Sequence, residues 1–522
     1  MLILPCRPPT RLALLARRLF HDQRWPGWQV VIGIETHAQI HSRQKLFSNS
    51  LTSGLGEAPN THVSPFDAAF PGTLPILNQN CVDLALRTAI ALNSKIQTRS
   101  SFDRKHYFYS DLPAGYQITQ HYTPIALEGH LHIPNRDSPI RIKQIQLEQD
   151  TAKSTFDPHT RTSNIDLNRA GTGLLEIVTE PDLRSPEEAG AYVRVLQAML
   201  RAIGASDGNM EAASTHLSTS DGSLRCDVNV SVNLVGQPSG TRCEIKNLNS
   251  VKFMQAAIIF EVHRQRALLS EQDAIVPQET RGFNHDTFET FKMRSKEEAP
   301  DYRYMPDPNL GVLFIAPERI KHTEQTMPEL PWVTRVRLLE TYKLSEQDAD
   351  TLLNLGSGQE HLDGGAIAYF DRLCKDRNPR VVFNWMVHEL LGRLNTARLT
   401  FADNPLPSSQ LGELADLVDS GAITGTSGKL LLREMLADPA SSKTPTERAS
   451  SLSLLVHDGL DLDALCAAAI AALPSEAMAF RNGHKNVLNK ILGWVMRETR
   501  GKADSSQVRE RLVALLRQGE GP

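Results

Sequence analysis

Cysteine is scarce and scattered. The six residues, at positions 6, 81, 226, 243, 374 and 466, include no Cys-x-x-Cys pair. That excludes a zinc knuckle or a dithiol redox motif, and isolated thiols suit a reducing compartment. Phosphate-binding glycine loops are missing too. No Gly-x-x-x-x-Gly-Lys-Ser/Thr occurs; the nearest stretch, GTSGKL at 425–430, has neither the spacing nor the final hydroxyl. No Gly-x-Gly-x-x-Gly follows a strand-like run. A nucleotide used here is therefore not held by a P-loop. Carboxylate-bound Mg²⁺ is the alternative, because Mg²⁺ takes oxygen ligands and bridges phosphates. There is no serine-hydrolase elbow and no local signature of a cysteine nucleophile. No run approaches the roughly 18 apolar residues of a membrane-spanning helix. Bulk positive charge is absent as well: the net charge is −4 and the isoelectric point about 6.5. Any RNA contact must come from local patches.

What is present begins with an arginine-rich leader. Residues 1–21 carry Arg7, Arg11, Arg17 and Arg18, no acid, and Leu12, Leu14, Leu15 and Leu19 in between. This is the composition of a mitochondrial transit peptide, and the apolar stretch 12–16 is too short for a secretory signal. The mature chain is expected to begin between residues 19 and 28.

At 522 residues, 40% hydrophobic and 22% charged, the chain is an ordinary globular protein of two or three domains. Strand-like runs at 29–40, 140–147, 174–179, 224–233 and 241–246 are bounded by Gly, Pro, Ser or Asn. One long helix interrupts them, with Ser185 as N-cap, Pro186 at the first position, Glu188 completing a capping box and Gly204 closing it. A second helix is expected over 82–92. Strands without regular helical alternation predict an α+β fold, a largely antiparallel sheet with flanking helices. Beyond about residue 325, helices are expected at 333–342, 348–355, 366–375, 381–394, 409–418, 429–436 and 487–499, with 425–428 as a loop. The expected division is a leader at 1–28, a catalytic cradle at 29–324, a helical domain at 325–400 and a helical tail domain at 401–522.

Period two along 31–40 puts Glu35, His37 and Gln39 on one face of a strand. Asp227 shares a face with Arg225, Asn229 and Ser231, opposite Leu224, Cys226, Val228, Val230 and Val232. Glu244 shares one with Arg242 and Lys246. Solvated strand faces would account for all of these. Glu176, between Leu174 and Val178, is less ordinary: a carboxylate in an apolar run is costly to bury unless paired or metal-bound, and both readings stand. The segment FDRKHYFYSDLPAGYQITQ at 102–120 packs five aromatics, Arg104, Lys105 and two acids around a Pro/Gly turn, a mixture no simple edge strand requires. Arg104 could pair with Asp103 or Asp111. Tyr107, Phe108, Tyr109 and Tyr116 could form core or stack an RNA end.

That segment, together with VIGIETH at 31–37, DLNRAGT at 166–172, LEIVTEPD at 175–182, SLRCDVN at 223–229 and EIKNLNS at 244–250, resembles the B-subunit family of glutamyl-tRNA(Gln) amidotransferases. The resemblance runs from about residue 29 onward and is densest to about 310. It implies a glutamine-synthetase-like cradle in a mitochondrial matrix ligase that forms a carbon–nitrogen bond with glutamine as amido donor. It also implies phosphorylation of the γ-carboxylate of Glu-tRNA(Gln) with ATP as substrate and Mg²⁺ as cofactor. Carried across, the metal ligands are Glu35, His37, Glu176, Asp227 and Glu244, and the catalytic cations are Arg104 and Lys105. Implied partners are an amidase (A-type) subunit, a small third (C-type) subunit and Glu-tRNA(Gln), without membrane insertion. The tail, with Arg500 and Lys502, is expected to bind tRNA. Two departures stand out. LEQD at 147–150 carries Gln149 where the family has a second glutamate, so Glu148 or Asp150 is left to substitute. Residues 212–220 look like an insertion. The alternative is a non-catalytic tRNA-binding scaffold.

Overall fold

Alternation along β1 (Trp28–Gln39) buries Val30, Ile32, Ile34, Thr36 and Ala38 and leaves Glu35, His37 and Gln39 half-buried on the other face. The computed structural model describes residues 24–54, 56–210, 222–271, 275–295, 301–355, 365–455, 462–482, 484–499, 503 and 505–518. The leader through residue 23, the 212–220 insertion, and Arg500 and Lys502 lie outside them. The chain divides into two compact units, up to Pro331 and from Trp332 onward.

In the first unit β1 is central. The other strands are β2 (Lys95–Ile96), β3 (Arg99–Ser100), β4 (Asp103–His106), β5 (Tyr116–Thr119), β6 (Ala126–Leu131), β7 (Ile140–Gln149), β8 (Lys153–Asp157), β9 (Thr162–Asp166), β10 (Gly173–Thr179), β11 (Leu224–Leu234), β12 (Cys243–Leu248), β13 (Glu279–Asn284), β14 (Glu289–Ser295), β15 (Met305–Pro306) and β16 (Leu313–Phe314), which pairs with β3. Eight of them join β1 in one nine-stranded sheet, in the order β14-β13-β12-β11-β1-β10-β7-β6-β2. Every pairing in it is antiparallel except β12 with β13. A smaller sheet, β15-β4-β5, carries the signature segment, and β8 and β9 form a hairpin. The α+β expectation holds.

Helices α1 (Gln79–Ala91), α2 (Pro186–Ala202) and α3 (Val251–Leu269) supply the flanking layer; α2 packs on α3 and α3 on β11. The α2 start follows the sequence: Ser185 Oγ accepts from the Glu188 N–H at 3.1 Å. The Glu188 carboxylate, however, takes the N–H of Arg184 at 2.9 Å, one residue before the cap. Helix α3 was not expected. Its buried row is Met254, Ala257, Ile258, Glu261, Val262 and Gln265, and the two polar members blur the apolar period. They are tolerated because Glu261 is held by Arg264 at 2.7 Å and Arg281 at 3.3 Å. Trp25, 1% exposed, packs edge-on against His263 of α3 at 6.0 Å between centroids. The folded body thus starts ahead of residue 29.

The second unit is helical. One hydrophobic cluster runs from Leu338 to Leu454 and joins Tyr369, Phe370, Met386, Leu394, Leu411 and Leu431; another runs from Cys466 to Leu516. The first therefore passes straight through position 400. The 381–394 stretch is Pro379–Phe383, a π-helical segment Asn384–Leu390, and Leu391–Thr396. Residues 425–428, expected as a loop, are the first turn of helix Gly425–Ala437, because Thr424 caps it: its Oγ1 accepts from the Ser427 N–H at 3.2 Å.

Candidate active site

Register assembles the polar face. β1 pairs His37 with Glu176 on β10 and Glu35 with Asp227 on β11. β10 pairs Glu176 with Gln146 on β7, and β11 pairs Asn229 with Glu244 on β12. Directly opposed residues share a face, so acids from five neighbouring strands line up: Glu148, Glu176, Glu35, Asp227 and Glu244, with His37 among them.

The middle of the row converges. Ligand atoms of Glu35, His37 and Glu176 all lie within 4.8 Å of one another, and His37 Nε2 is 3.1 Å from Glu35 Oε1. Burial opposes ionisation of Glu35, but its hydrogen bond to His37 and the charges of His37 and Lys246 outweigh it and hold the carboxyl at about 2. Burial likewise opposes the imidazolium of His37. The Glu35 hydrogen bond and the charges of Glu176, Glu35 and Glu148 override it and raise the ring to about 9. Glu176 goes the other way. Burial first, then repulsion from Glu148 and Glu35, pushes its carboxyl well above the usual range, and its Oε2 accepts from Gln146 Nε2. The three groups thus form a charged pair beside a carboxyl that favours its proton.

The flanks differ. Glu148 Oε1 accepts from Gln117 Nε2 at 2.8 Å; among the described residues its Oε2 is buried without a hydrogen-bond partner, 3.9 Å from Lys105 Nζ. Burial works against the charge of Lys105, but Glu148 and Glu176 keep it firmly protonated. Arg104, the next residue on β4, points elsewhere: its Nε donates to Asp307 at 2.7 Å and its guanidinium lies 4.1 Å over the Tyr116 ring. Its partner is thus neither Asp103 nor Asp111, and β4 alternation separates it from Lys105. On the other flank Lys246 Nζ sits 2.7 Å from Asp227 Oδ2 and 3.1 Å from Glu244 Oε1. Asp227 also accepts the Asn247 N–H at 3.0 Å, and Glu244 accepts from Thr280 Oγ1 at 3.2 Å. Asp227 and Glu244 are therefore engaged by an internal ammonium and do not join the 4.8 Å cluster.

Gln149 turns away from the row. Its Oε1 takes the Ile118 N–H at 3.4 Å, and it lines a cavity of about 180 Å³ with Asp111, Tyr116 and Asp150. Glu148, not Gln149, holds the site-facing position. Asp150 is tied to Arg225 at 2.8 Å. Sequence reading did not place Gln146 and Gln117 at the site, nor Tyr302 and Tyr304, which come from a segment some 200 residues distant with no local signal; Lys246 was visible only as a residue sharing the face of Glu244.

The family model for the GatB/GatE catalytic domain matches residues 30–321, which contain this whole row, and that for the GatB domain matches 368–516. The chain belongs to the GatB/GatE family. It is 60% identical to the B subunit of the mitochondrial glutamyl-tRNA(Gln) amidotransferase of Laccaria bicolor, over 96% of this chain and 94% of that one. Identity to the protein of the same name from Danio rerio is 40%, over 93% and 89%. To the B subunit of the aspartyl/glutamyl-tRNA(Asn/Gln) amidotransferase of Rickettsia rickettsii it is 42%, over 94% and 98%.

The site of this GatB/GatE chain fits a divalent cation: two carboxylates and one imidazole within 4.8 Å, with the buried Oε2 of Glu148, which accepts no hydrogen bond among the described residues, beside them. Oxygen-rich sets of this kind suit Mg²⁺ or Mn²⁺.

Proposed function

We propose that this chain is the part of a mitochondrial glutamyl-tRNA(Gln) amidotransferase that activates the glutamyl γ-carboxylate by phosphorylation. One observation carries the reading: Glu35, His37 and Glu176 converge from two neighbouring strands within 4.8 Å, next to Lys105 and in a GatB/GatE chain. Phosphoryl transfer needs positioning and neutralised charge more than covalent help.

In the reaction, an oxygen of the γ-carboxylate attacks the γ-phosphorus of ATP. The bond to the bridging oxygen breaks and ADP leaves. Ammonia then attacks the acyl carbon, the acyl–oxygen bond breaks, phosphate departs, and the nitrogen loses a proton to give the amide. Glu35, His37 and Glu176, with Glu148 beside them, would hold Mg²⁺, which would supply positive charge to offset that of the phosphates. Lys105, held in its ammonium form by the neighbouring acids, faces the same space and neutralises charge on the transferring group. Arg104, locked to Asp307, acts by fixing β4. Lys246 keeps Asp227 and Glu244 ordered at the edge of the site. The scaffold alternative rested on Gln149, and since Glu148 takes the inward position that change does not empty the cluster.

An amidase (A-type) subunit supplies the ammonia, in keeping with the lack of a serine-hydrolase elbow or a cysteine-nucleophile signature in this sequence, and a small third (C-type) subunit completes the complex. The helical tail contributes to holding the tRNA. Phosphate release from ATP should depend on Glu-tRNA(Gln) in the assembled complex with the amidase nucleophile disabled. Release that ignores the aminoacyl-tRNA would refute the assignment.

A further inference from the structure

Beside Lys105 runs a connected strip of aromatic rings from three separate segments. Tyr107 meets Tyr109 at 5.7 Å and Tyr302 at 5.9 Å between centroids, and Tyr302 meets Tyr304 at 6.1 Å. Tyr304 stacks on His121 at 3.8 Å with only 6° between ring planes, and His121 abuts Tyr122 at 4.9 Å. The strip is not core. Tyr109 and Tyr122 are each 61% exposed. Between them Tyr107, Tyr302 and Tyr304 are half-buried, and the exposed rings at the ends forgo the burial that normally justifies an aromatic.

The strip is physically joined to the acid row. Lys105 Nζ lies 5.2 Å from the centre of the Tyr302 ring and 3.9 Å from Glu148. The Tyr107 hydroxyl donates to Gln117 Oε1 at 3.0 Å, and Gln117 donates to Glu148. The middle of the strip, Tyr107 and Tyr302, therefore reaches the cluster, and both ends open to solvent. Lys105, packed over the Tyr302 ring, gives the strip a cation as well as rings. Flat π-faces bordered by positive charge are the equipment that holds an unpaired nucleotide.

We infer that this strip stacks the 3′-terminal nucleoside of the aminoacylated RNA. The inference rests on the function proposed above and adds the place where the RNA end lies. The glutamyl group is esterified to the terminal ribose, so its γ-carboxylate and the terminal base are on the order of 10 Å apart, a handful of bonds of about 1.5 Å each. An occupant whose carboxylate sits at Glu35, His37 and Glu176 has its base within reach of the strip. The stacked pair His121–Tyr304 is the natural platform, since it already presents flat faces.

The test uses the assembled enzyme and Glu-tRNA(Gln) whose terminal adenosine is replaced by 2-aminopurine riboside, a base whose fluorescence is quenched on stacking. Binding to the wild type should quench it. Tyr304→Ala, and separately His121→Ala with Tyr122→Ala on the exposed side, should abolish the quench. Both should raise KM for the aminoacyl-tRNA about 10-fold or more, while KM for ATP holds; Tyr304→Phe should retain the wild-type signal. Persistent quenching with unchanged KM in the alanine variants would overturn the inference. So would a rise in KM for ATP alone, which would put the nucleotide's own adenine on the strip. Wild-type enzyme without RNA-dependent phosphate release would sink the proposed function instead, and the quench, read by binding alone, would still report on the strip.

Discussion

Glu35 Oε1 and His37 Nε2 lie 3.1 Å apart on one face of β1, two residues apart in sequence and both largely enclosed. Together with Glu176 they set how the site titrates. His37 is raised from 6.5 to about 9 and Glu35 is lowered from 4.5 to about 2. The raised group stabilises the fold fully below pH 6.5 and loses that contribution as pH climbs through 9; the lowered one contributes fully above pH 4.5 and loses it as pH falls through 2. In chelator, the urea midpoint should therefore decline between about pH 6.5 and 9, and His37→Gln should flatten that decline. An NMR titration of the His37 ring would check the cause directly. A cation bound at His37 needs the neutral ring, so affinity for Mn²⁺ should rise with pH over the same window.

Asp227 and Lys246 should behave as one unit. With Lys246 partly exposed, Asp227→Asn should cost about 1–2 kcal/mol, less than a fully buried pair. The double variant Asp227→Asn with Lys246→Met should lose less than the two single changes summed. Denaturant midpoints of the four proteins give the coupling, and strict additivity would contradict the internal ammonium assigned to these acids.

Gln149→Glu should not strengthen divalent-cation binding. The side chain faces the cavity that holds Asp111 and Asp150, so a new negative charge meets two others there. Calorimetric titration with Mn²⁺ should show wild-type affinity, with a stability loss of about 1 kcal/mol. A clear gain in affinity would place the residue in the cation site after all.

Trp25→Ala should destabilise the protein by about 3 kcal/mol, because the indole is buried against His263. The mature chain should accordingly keep Trp25. N-terminal sequencing of protein from mitochondria that begins beyond Trp25, in a fully stable enzyme, would contradict this.

Much of the first unit was legible because alternation is local. The faces of β1, β10 and β11, the α2 cap at Ser185 and the α+β class follow from periodicity and capping chemistry. Register is not local. Nothing in 31–40 states that His37 will stand opposite Glu176, and nothing in 147–150 states that Glu148 and not Gln149 will face inward. Lys246 shows the same limit: its alternation with Glu244 is visible, but its contact with Asp227 depends on a shift in the β11–β12 pairing between Cys226 and Val228. Helix α3 escaped because two residues of its buried row, Glu261 and Gln265, are polar: Glu261 is held by Arg264 and Arg281, and Gln265 Nε2 donates to the Val230 carbonyl. In the helical unit, glycine at 425–428 suggested a loop, and the Thr424 cap overrode it.

The central claim is that the γ-carboxylate of the tRNA-bound glutamate becomes an acyl phosphate at Glu35, His37 and Glu176. Labelling that carboxylate with oxygen-18 and following phosphate through one turnover tests it directly, because an oxygen passes to phosphorus only if the carboxylate is the acceptor. The wild-type complex should release phosphate carrying one heavy oxygen for each Gln-tRNA formed, and Glu176→Gln should release almost none while still binding the RNA. Formation of Gln-tRNA with phosphate free of the label would contradict the account.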